Sequence, residues 1–525
     1  MDALREAARR DPLGPAVEGP SAASGHPVAW SWSDLDQAAD RAALRLGEAG
    51  VGAGDAVTTI LPASPEMLAL LFALPRLGGL LVPLDARSLA DELRRKVGRP
   101  GGVRLVLAPG GRVGELRRLL PGHGVVEVEE IVSVPDPADL PIDPFLPTAY
   151  TPPVASPLSM DHTLPIDPTL RRVVPELEAD TPVVVILTSG STGRPRPVVL
   201  THGNLSASAR GVAGRLGLDP MDRWAASLSP AHVGGLLLLH RAVSVGSPVV
   251  TRERFRAEEF LELARQGEIT HASLVPVMLR SLLELSDGEP APRGLRCLLL
   301  GGARTPLPLL TRALEGRWPV ALTYGLTEAS SQVATAPPVE VRAYPGRVGR
   351  PLPDVALRID ASLPGGVGEI LVRGPTVAPI LPWSGGARRP TVWMDAEGWL
   401  HTGDLGRLDD EGGLWVEGRT SDRILSGGVT VEPAEVEAVL LDHPGVVEAA
   451  VVGVPDETWG ERVVAAVAVQ VGAETDGAAL VEFAGERLDP GRRPRQVQVV
   501  QALPRNRNGK VDRRLVRALF LPPEV

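Results

Sequence analysis

A chain of 525 residues is too long for one hydrophobic core and predicts about three or four domain-sized units. Hydrophobic residues make up 44% and charged residues 22%, the balance of an ordinary globular protein. The net charge of −10 argues against a nucleic acid or an anionic membrane as the main partner, because both favour a basic face. A protein of this charge that binds a nucleotide must gather its cations locally.

The elements in chain order read as α/β. Met1–Arg10 is charged and helical, with no apolar signal-peptide core. From Val28 to Leu84 strand-like runs alternate with helices expected at Leu35–Ala49 and Glu66–Gly78. Ala56–Leu84 is the longest apolar region, but Pro62, Pro65, Glu66, Pro75 and Arg76 interrupt it, so it predicts strand, helix and strand rather than a membrane span. Pro135–Pro168 is dense in proline and is expected to be a surface segment. Alternation resumes at Thr181, with a buried strand at Val183–Leu187, a helix at Glu258–Gln266, and strands at Ile269–Val275 and Leu295–Leu300. The lone cysteine, Cys297, lies in this last run and reads as a small buried hydrophobe. No disulfide framework is then available, which fits a reducing cytoplasm.

After about Leu371 the texture changes. Gly398–Leu408 and Gly413–Val416 read as short hairpin strands. A compact unit follows: helix Pro433–Leu441, strands Val446–Val454 and Val463–Val471, helix Ala478–Leu488 and strand Gln496–Val500. The division drawn from this is a large unit over 1–418, a hinge at 419–422 and a small α+β unit over 423–525.

Two features carry chemistry. Val183–Leu187 runs into Thr188-Ser189-Gly190-Ser191-Thr192-Gly193, where small residues let backbone N–H groups converge on phosphate oxygens and hydroxyls add donors. It is not a Walker loop, since no Gly-Lys-Ser/Thr follows, and Arg196 supplies the nearby cation. Standing alone, such a loop reads equally as a flexible connection. The second feature is lysine: of 54 basic residues only Lys96 and Lys510 are lysines. A chain that writes almost every cation as arginine keeps a lysine where a compact ammonium on a flexible stem is needed. Lys96, beside Arg94 and Arg95, reads as a solvated helix face, which leaves Lys510.

The glycine-hydroxyl run, together with a series of later motifs, resembles the adenylate-forming superfamily of acyl- and aryl-CoA synthetases, adenylation domains and luciferases. The series is Gly301-Gly302-Ala303, Thr323-Tyr324-Gly325-Leu-Thr327-Glu328, His401-Thr-Gly-Asp404, Gly418-Arg419-Thr-Ser-Asp422 and Asn508-Gly509-Lys510. It spans about Val28 to Phe520 and is weakest from Pro100 to Asp180.

The resemblance implies ATP, Mg²⁺ and coenzyme A as co-substrates or cofactor, and a small C-terminal unit that swings about the hinge. It implies that Gly301–Ala303 walls the adenine, Tyr324 stacks on it, Thr327 meets phosphate, Glu328 holds the metal, Asp404 accepts from the ribose, and Arg419 lies near the nucleotide. Lys510 and Arg196 would serve the adenylation step. The family's Pro-Lys-Gly is replaced here by Pro195-Arg196-Pro197, which alters the grip and stiffens the exit of the loop.

The acid is expected between Ser229-Pro-Ala-His232-Val-Gly-Gly235 and the Tyr324 motif. Amino-acid-activating members of the family place an aspartate in the first segment to pair with the substrate ammonium; none stands here, so the resemblance disfavours an amino acid. His232 is read either as a lining or gating residue or as a structural histidine. The Ser229–Gly235 segment, Val275-Pro-Val-Met-Leu279 and the tail Ser330-Ser331-Gln332 resemble the o-succinylbenzoate–CoA ligase branch of menaquinone biosynthesis. Ser331 and Gln332 would offer donors to a second carboxylate. Another aryl- or acyl-CoA ligase, and a degenerate relative that binds nucleotide without catalysis, are the alternatives. The partners expected are small molecules, with no nucleic acid and no integral membrane segment, and a homodimer is left open.

Overall fold

The computed structural model describes residues 2–85, 103–120, 123–132, 177–189, 195–361, 364–379, 394–427, 429–470, 472–473, 475–506 and 510–521. Lys96, the Pro135–Pro168 segment and Gly190–Gly193 lie outside the described residues.

Two mostly parallel sheets form the body of the molecule. The first has nine strands, in the order 350–351, 334–336, 320–324, 297–300, 271–274, 224–226, 249–251, 15–20 and 27–31. The six from Val320–Tyr324 to Pro15–Pro20 run parallel, and antiparallel strands close both edges. The second sheet has six strands, ordered 124–127, 105–108, 56–59, 80–83, 182–189 and 195–201, with only the last antiparallel.

Parallel strands covered on both faces need unbroken apolar runs, and Leu105–Ala108 and Cys297–Leu300 are buried at every position. Helix Pro65–Arg76 is likewise buried throughout, including Arg76, whose guanidinium is held by Asp2, Asp36 and Asp40. A single apolar cluster containing Leu68, Leu81, Ile186, Trp224, Leu236 and Val249 runs through both sheets. The expected strand–helix–strand at Ala56–Leu84 is therefore the centre of the larger core.

A four-stranded antiparallel sheet follows, made of Ala356–Ala361, Gly368–Arg373, Leu400–Leu408 and Leu414–Arg419. It begins before the expected change of texture near Leu371. Its first strand is an edge with no buried residue, so it lacks the apolar run by which a strand is read. The sheet packs on the large body through Tyr324, Leu352, Ile370, Leu400 and Leu414.

The last sheet comprises Val429–Val431, Ile424–Ser426, Gly460–Val469 and Val446–Asp456, with Gln496–Val500 parallel to Gly460–Val469. Helices Pro433–Leu441 and Gly477–Gly485 cover one face, and Leu503 and Val516 lie against the other. The clusters on its two faces contain no residue before Ile424. Among the described residues, this unit carries its own core and meets the body across a seam.

Candidate active site

In open α/β sheets the carboxyl ends of parallel strands are where ligands are bound. Here Ser229 follows strand Trp224–Ala226, Val275 follows His271–Leu274, Gly301 and Gly302 follow Cys297–Leu300, and Tyr324 ends Val320–Tyr324. Residues drawn from motifs far apart in sequence therefore converge on the carboxyl-terminal edge of the nine-stranded sheet, at the ends of its interior strands.

Asp404 is the centre of a charged group at this edge. Its Oδ2 accepts from the Tyr324 hydroxyl at 2.8 Å, and its Oδ1 pairs with Arg419 Nε at 2.7 Å. Asp404 and Arg419 are cross-strand partners, so the pair is set by sheet register. Asp404 sits beside a bulge between Leu405 and Gly406, and its N–H donates to Thr402 Oγ1 at 3.1 Å. Glu369 braces the same turn, accepting from Gly403 N at 2.8 Å and lying 3.0 Å from His401 Nδ1.

The electrostatics are those of charges taken partly out of water. Burial pushes the Asp404 carboxyl up, against the pull of Arg419 and the Tyr324 hydrogen bond. Burial, then the charge of Asp404, pushes the Tyr324 hydroxyl well above its ordinary value. Glu328, on a short 3₁₀ turn at Thr327–Ala329, is also raised by burial, while Arg419 and Arg196 oppose the shift. Two carboxylates thus share a space with several cations, in a protein whose overall charge is negative.

Lys510 comes to this group from the small unit. A Cβ built on Gly302 would stand 3.5 Å from Lys510 Cε, and Gly302 has φ +79°, a conformation that side chains rarely tolerate. The protein surrounding the ammonium, then the charge of Arg419, lowers the Lys510 pKa, and Asp404 opposes them. The lysine's own loop is closed by Asn506, whose N–H donates to Lys510 O at 2.8 Å and whose Oδ1 accepts from Lys510 N at 3.1 Å.

Thr188 and Arg196 face each other across the antiparallel pair that flanks the glycine-hydroxyl loop, and the Thr188 hydroxyl donates to Arg196 O at 3.2 Å. Ser189 ends the first strand of that pair. The Thr323 hydroxyl donates to Ala334 O at 2.9 Å and so ties two strands together. A Cβ on Gly325 would fall 1.5 Å from Ser331 O, so only glycine lets these two backbones cross.

Beyond this crossing, Ser330 and Ser331 have φ of 53° and 87°. Such a turn is strained for residues with side chains and must be held from outside. Ser330 Oγ donates to Thr376 O at 2.7 Å, and Ser208 Oγ donates to Ser330 O at 2.7 Å. Gln332 is buried, with its Oε1 accepting from Thr335 at 2.6 Å and from Thr323 at 3.3 Å.

His232 is the N-cap residue of helix Val233–Val245, and its N–H donates to Ser229 O at 3.1 Å. A Cβ on Gly235 would lie 2.3 Å from Ser229 O, which explains the glycine in this turn.

Glu369, Ser208 and Thr376 are absent from the sequence reading of the site. Each acts by bracing another residue, and nothing in a single sequence marks which distant turn a serine or a glutamate will brace.

A hard divalent cation fits Glu328. Its partly desolvated carboxyl gains from an adjacent cation, and one carboxylate completed by phosphate oxygens suits Mg²⁺. Among the described residues no group of three or more His, Cys, Asp or Glu could hold a metal, and Mg²⁺ is ordinarily completed by phosphate oxygens and water. No helix among the described residues is long and apolar enough to cross a membrane.

With its mostly parallel sheets, small separate C-terminal unit and charged group at the strand ends, the chain has the architecture of a nucleotide-binding ligase. It belongs to the AMP-binding enzyme family, which it matches over residues 4–380, and residues 435–510 match the AMP-binding enzyme C-terminal domain. The 2-succinylbenzoate–CoA ligase of Geobacillus kaustophilus is 36% identical over 498 residues, covering 93% of each chain. That of Bacillus cytotoxicus is 42% identical over 342 residues, 64% of this chain and 70% of the relative. Among solved structures, o-succinylbenzoate CoA synthetase from Bacillus subtilis, in complex with its acyl-adenylate intermediate, superposes with a TM-score of 0.79. The identity is 30%, over 98% of both chains. ATP-bound MatB from Rhodopseudomonas palustris gives a TM-score of 0.81 at 27% identity, over 99% of both chains.

Proposed function

We propose that this protein is an AMP-forming acid–thiol ligase that converts o-succinylbenzoate to its coenzyme A thioester through an acyl-adenylate. The observation that carries the reading is Lys510, brought from a unit with its own core to Gly302 and into the field of Asp404 and Arg419. The choice of acid is supported by the 2-succinylbenzoate–CoA ligases among its relatives, and by the polar turn at Ser331 and Gln332.

In the first step a carboxylate oxygen of the acid attacks the α-phosphorus of ATP, and pyrophosphate leaves. Negative charge spreads over phosphate oxygens, so the protein contributes by positioning and by fixed positive charge. Lys510 and Arg196 supply that charge, and Thr188–Gly193 supplies N–H and hydroxyl donors. Bound at Glu328, Mg²⁺ would neutralise phosphate charge. Asp404 receives the ribose hydroxyls, Tyr324 and Gly301–Ala303 enclose the base, Thr327 meets phosphate, and Thr323 and Gly325 shape the backbone beneath it. The aromatic acid lies between Ser229–His232 and Ser331–Gln332, with donors there for its second carboxylate. In the second step the thiol sulfur of coenzyme A attacks the acyl carbonyl and AMP leaves. The small unit turns about residues 419–422 between the steps, taking Lys510 away. A cytoplasmic location accompanies this reading, with either one copy or a homodimer as the working form.

Pyrophosphate release with o-succinylbenzoate, benzoate and a fatty acid tests the proposal. Preferred release with o-succinylbenzoate is expected. Preference for another acid reassigns the substrate, and tight ATP binding without release for any acid makes the chain a non-catalytic relative.

A further inference from the structure

The seam between the small unit and the body contains an arrangement that the adenylation chemistry does not use. Arg280 lies on helix Pro276–Leu285 of the body, directly after the strand whose end borders Gly302. Its guanidinium crosses to the small unit, 3.5 Å from Glu448 Oε1 and 3.4 Å from Val447 O. The same Glu448 oxygen pairs with Arg505 at 2.5 Å. Arg505 forms a backbone bridge with Val511, so it flanks the loop that carries Lys510. The register shifts at Val447, whose carbonyl lies near Arg280, and Glu448 opens the regular pairing beyond it, opposite Ala468.

The surroundings make this contact matter. The clusters of the small unit contain no residue of the body, and the seam holds a cavity of about 170 Å³ lined by Arg280, Leu309, Arg312, Leu441, Val446 and Gln470. Where apolar packing is incomplete, orientation falls to polar ties. The side chains of Arg280, Glu448 and Arg505 are 19%, 17% and 27% exposed, so the charges are partly shielded from solvent. At 3.5 Å the Arg280–Glu448 contact is a loose ion pair, and a loose pair can be broken in every turnover. We infer that Arg280, Glu448 and Arg505 form a latch that holds the small unit where Lys510 reaches the nucleotide. All three are positioning residues that act through the lysine. The inference rests on the two-step reaction proposed above.

The two half-reactions separate a latch from a structural contact. In Arg280→Ala and Glu448→Gln, adenylation measured by pyrophosphate release is expected to slow about fivefold, the order of a partly shielded ion pair. Thioester formation from synthetic acyl-adenylate and coenzyme A should be unchanged or faster. Arg280→Lys should recover part of the loss, and the double variant should lose no more than the worse single one. A readout without substrate runs beside these. Spin labels at cysteines introduced at Gln266 and Glu482, both exposed, report the distance between the units, and the buried Cys297 stays unlabelled. Loss of population at the distance seen here is expected in Arg280→Ala. Equal slowing of both half-reactions, no slowing of either, or an unchanged distance distribution overturns the latch. A wild type that adenylates no acid would instead overturn the proposed reaction, and the distance measurement would still decide the latch.

Discussion

At the scale of single residues, the site is governed by charges whose ordinary titration is disturbed by their surroundings. In the proposed reaction Lys510→Ala removes a charge used in adenylation and not in thiol transfer. It should slow pyrophosphate release by about 10²–10³-fold, the size of effect seen when one preorganised electrostatic group is lost. Separate assay of thioester formation from acyl-adenylate should find that step nearly intact. Because crowding and Arg419 lower the Lys510 pKa, its ammonium is lost at lower pH than an ordinary lysine's. Adenylation should therefore decline on the alkaline side earlier than thioester formation does. A pH profile of each half-reaction checks this, and Lys510→Arg should move the adenylation limb upward while lowering its maximum.

Glu328 gives a prediction of the opposite kind. Burial raises its carboxyl, so the folded state holds the proton more tightly than the unfolded chain, and ionisation costs stability as pH rises through the folded value. Glu328→Gln should raise the melting temperature at neutral pH and abolish Mg²⁺-dependent adenylation. The stability gain should vanish at acid pH, where the wild-type carboxyl is already protonated. A gain that persists at low pH would point to packing instead of charge.

At the scale of elements, the turn after Tyr324 depends on residues from elsewhere. Ser330 and Ser331 hold left-handed backbone, Ser208 clamps from helix His202–Leu216, and Thr376 accepts from just beyond strand Gly368–Arg373. Ser208→Ala leaves a buried carbonyl without its donor and should cost about 1 kcal/mol by thermal or urea unfolding. If this turn orients Ser331 and Gln332 toward the acid, KM for o-succinylbenzoate should rise while KM for ATP stays put.

The motif residues could be picked out from sequence because short strings such as His401–Asp404 resemble those of a known family, in the same order. The clamps were not, because Ser208 and Thr376 are ordinary in composition and gain meaning only from the residue across from them. The same holds for strand Ala356–Ala361. It has no buried face to print a period on the sequence, whereas helix Pro433–Leu441 and strand Gln496–Val500 match their expected bounds.

At the scale of the whole molecule, the candidate site lies between units that do not share a core. The pair Asp404–Arg419 belongs to the four-stranded sheet, Gly302 to the nine-stranded sheet, and Lys510 to the small unit. Asp422, at the junction, pairs with Arg513 at 3.3 Å, and Arg513 also reaches Glu437 at 2.8 Å, so the small unit is anchored to the end of its own connection. Residues 2–422 produced alone should fold, keep the Tyr324–Asp404–Arg419 group and bind AMP, yet release no pyrophosphate. Thermal melting, calorimetry and the pyrophosphate assay check these three outcomes.

The sequence by itself pointed to the class of chemistry, through the resemblance of its short motifs to a known family. Small residues beside hydroxyls can approach phosphate, a lysine retained among arginines is a candidate for a needed ammonium, and the aspartate of amino-acid-activating relatives is absent. These are properties of residue types at short spacing, and they do not depend on what lies across the fold. Only the tertiary structure decided which groups meet: Asp404 with Tyr324 and Arg419, Lys510 with Gly302, Glu448 with both Arg280 and Arg505. Such contacts join positions from 15 to 208 residues apart, set by sheet register and by how one unit rests on another. Burial then shifts the charges that are brought together, and that shift exists only in the folded protein.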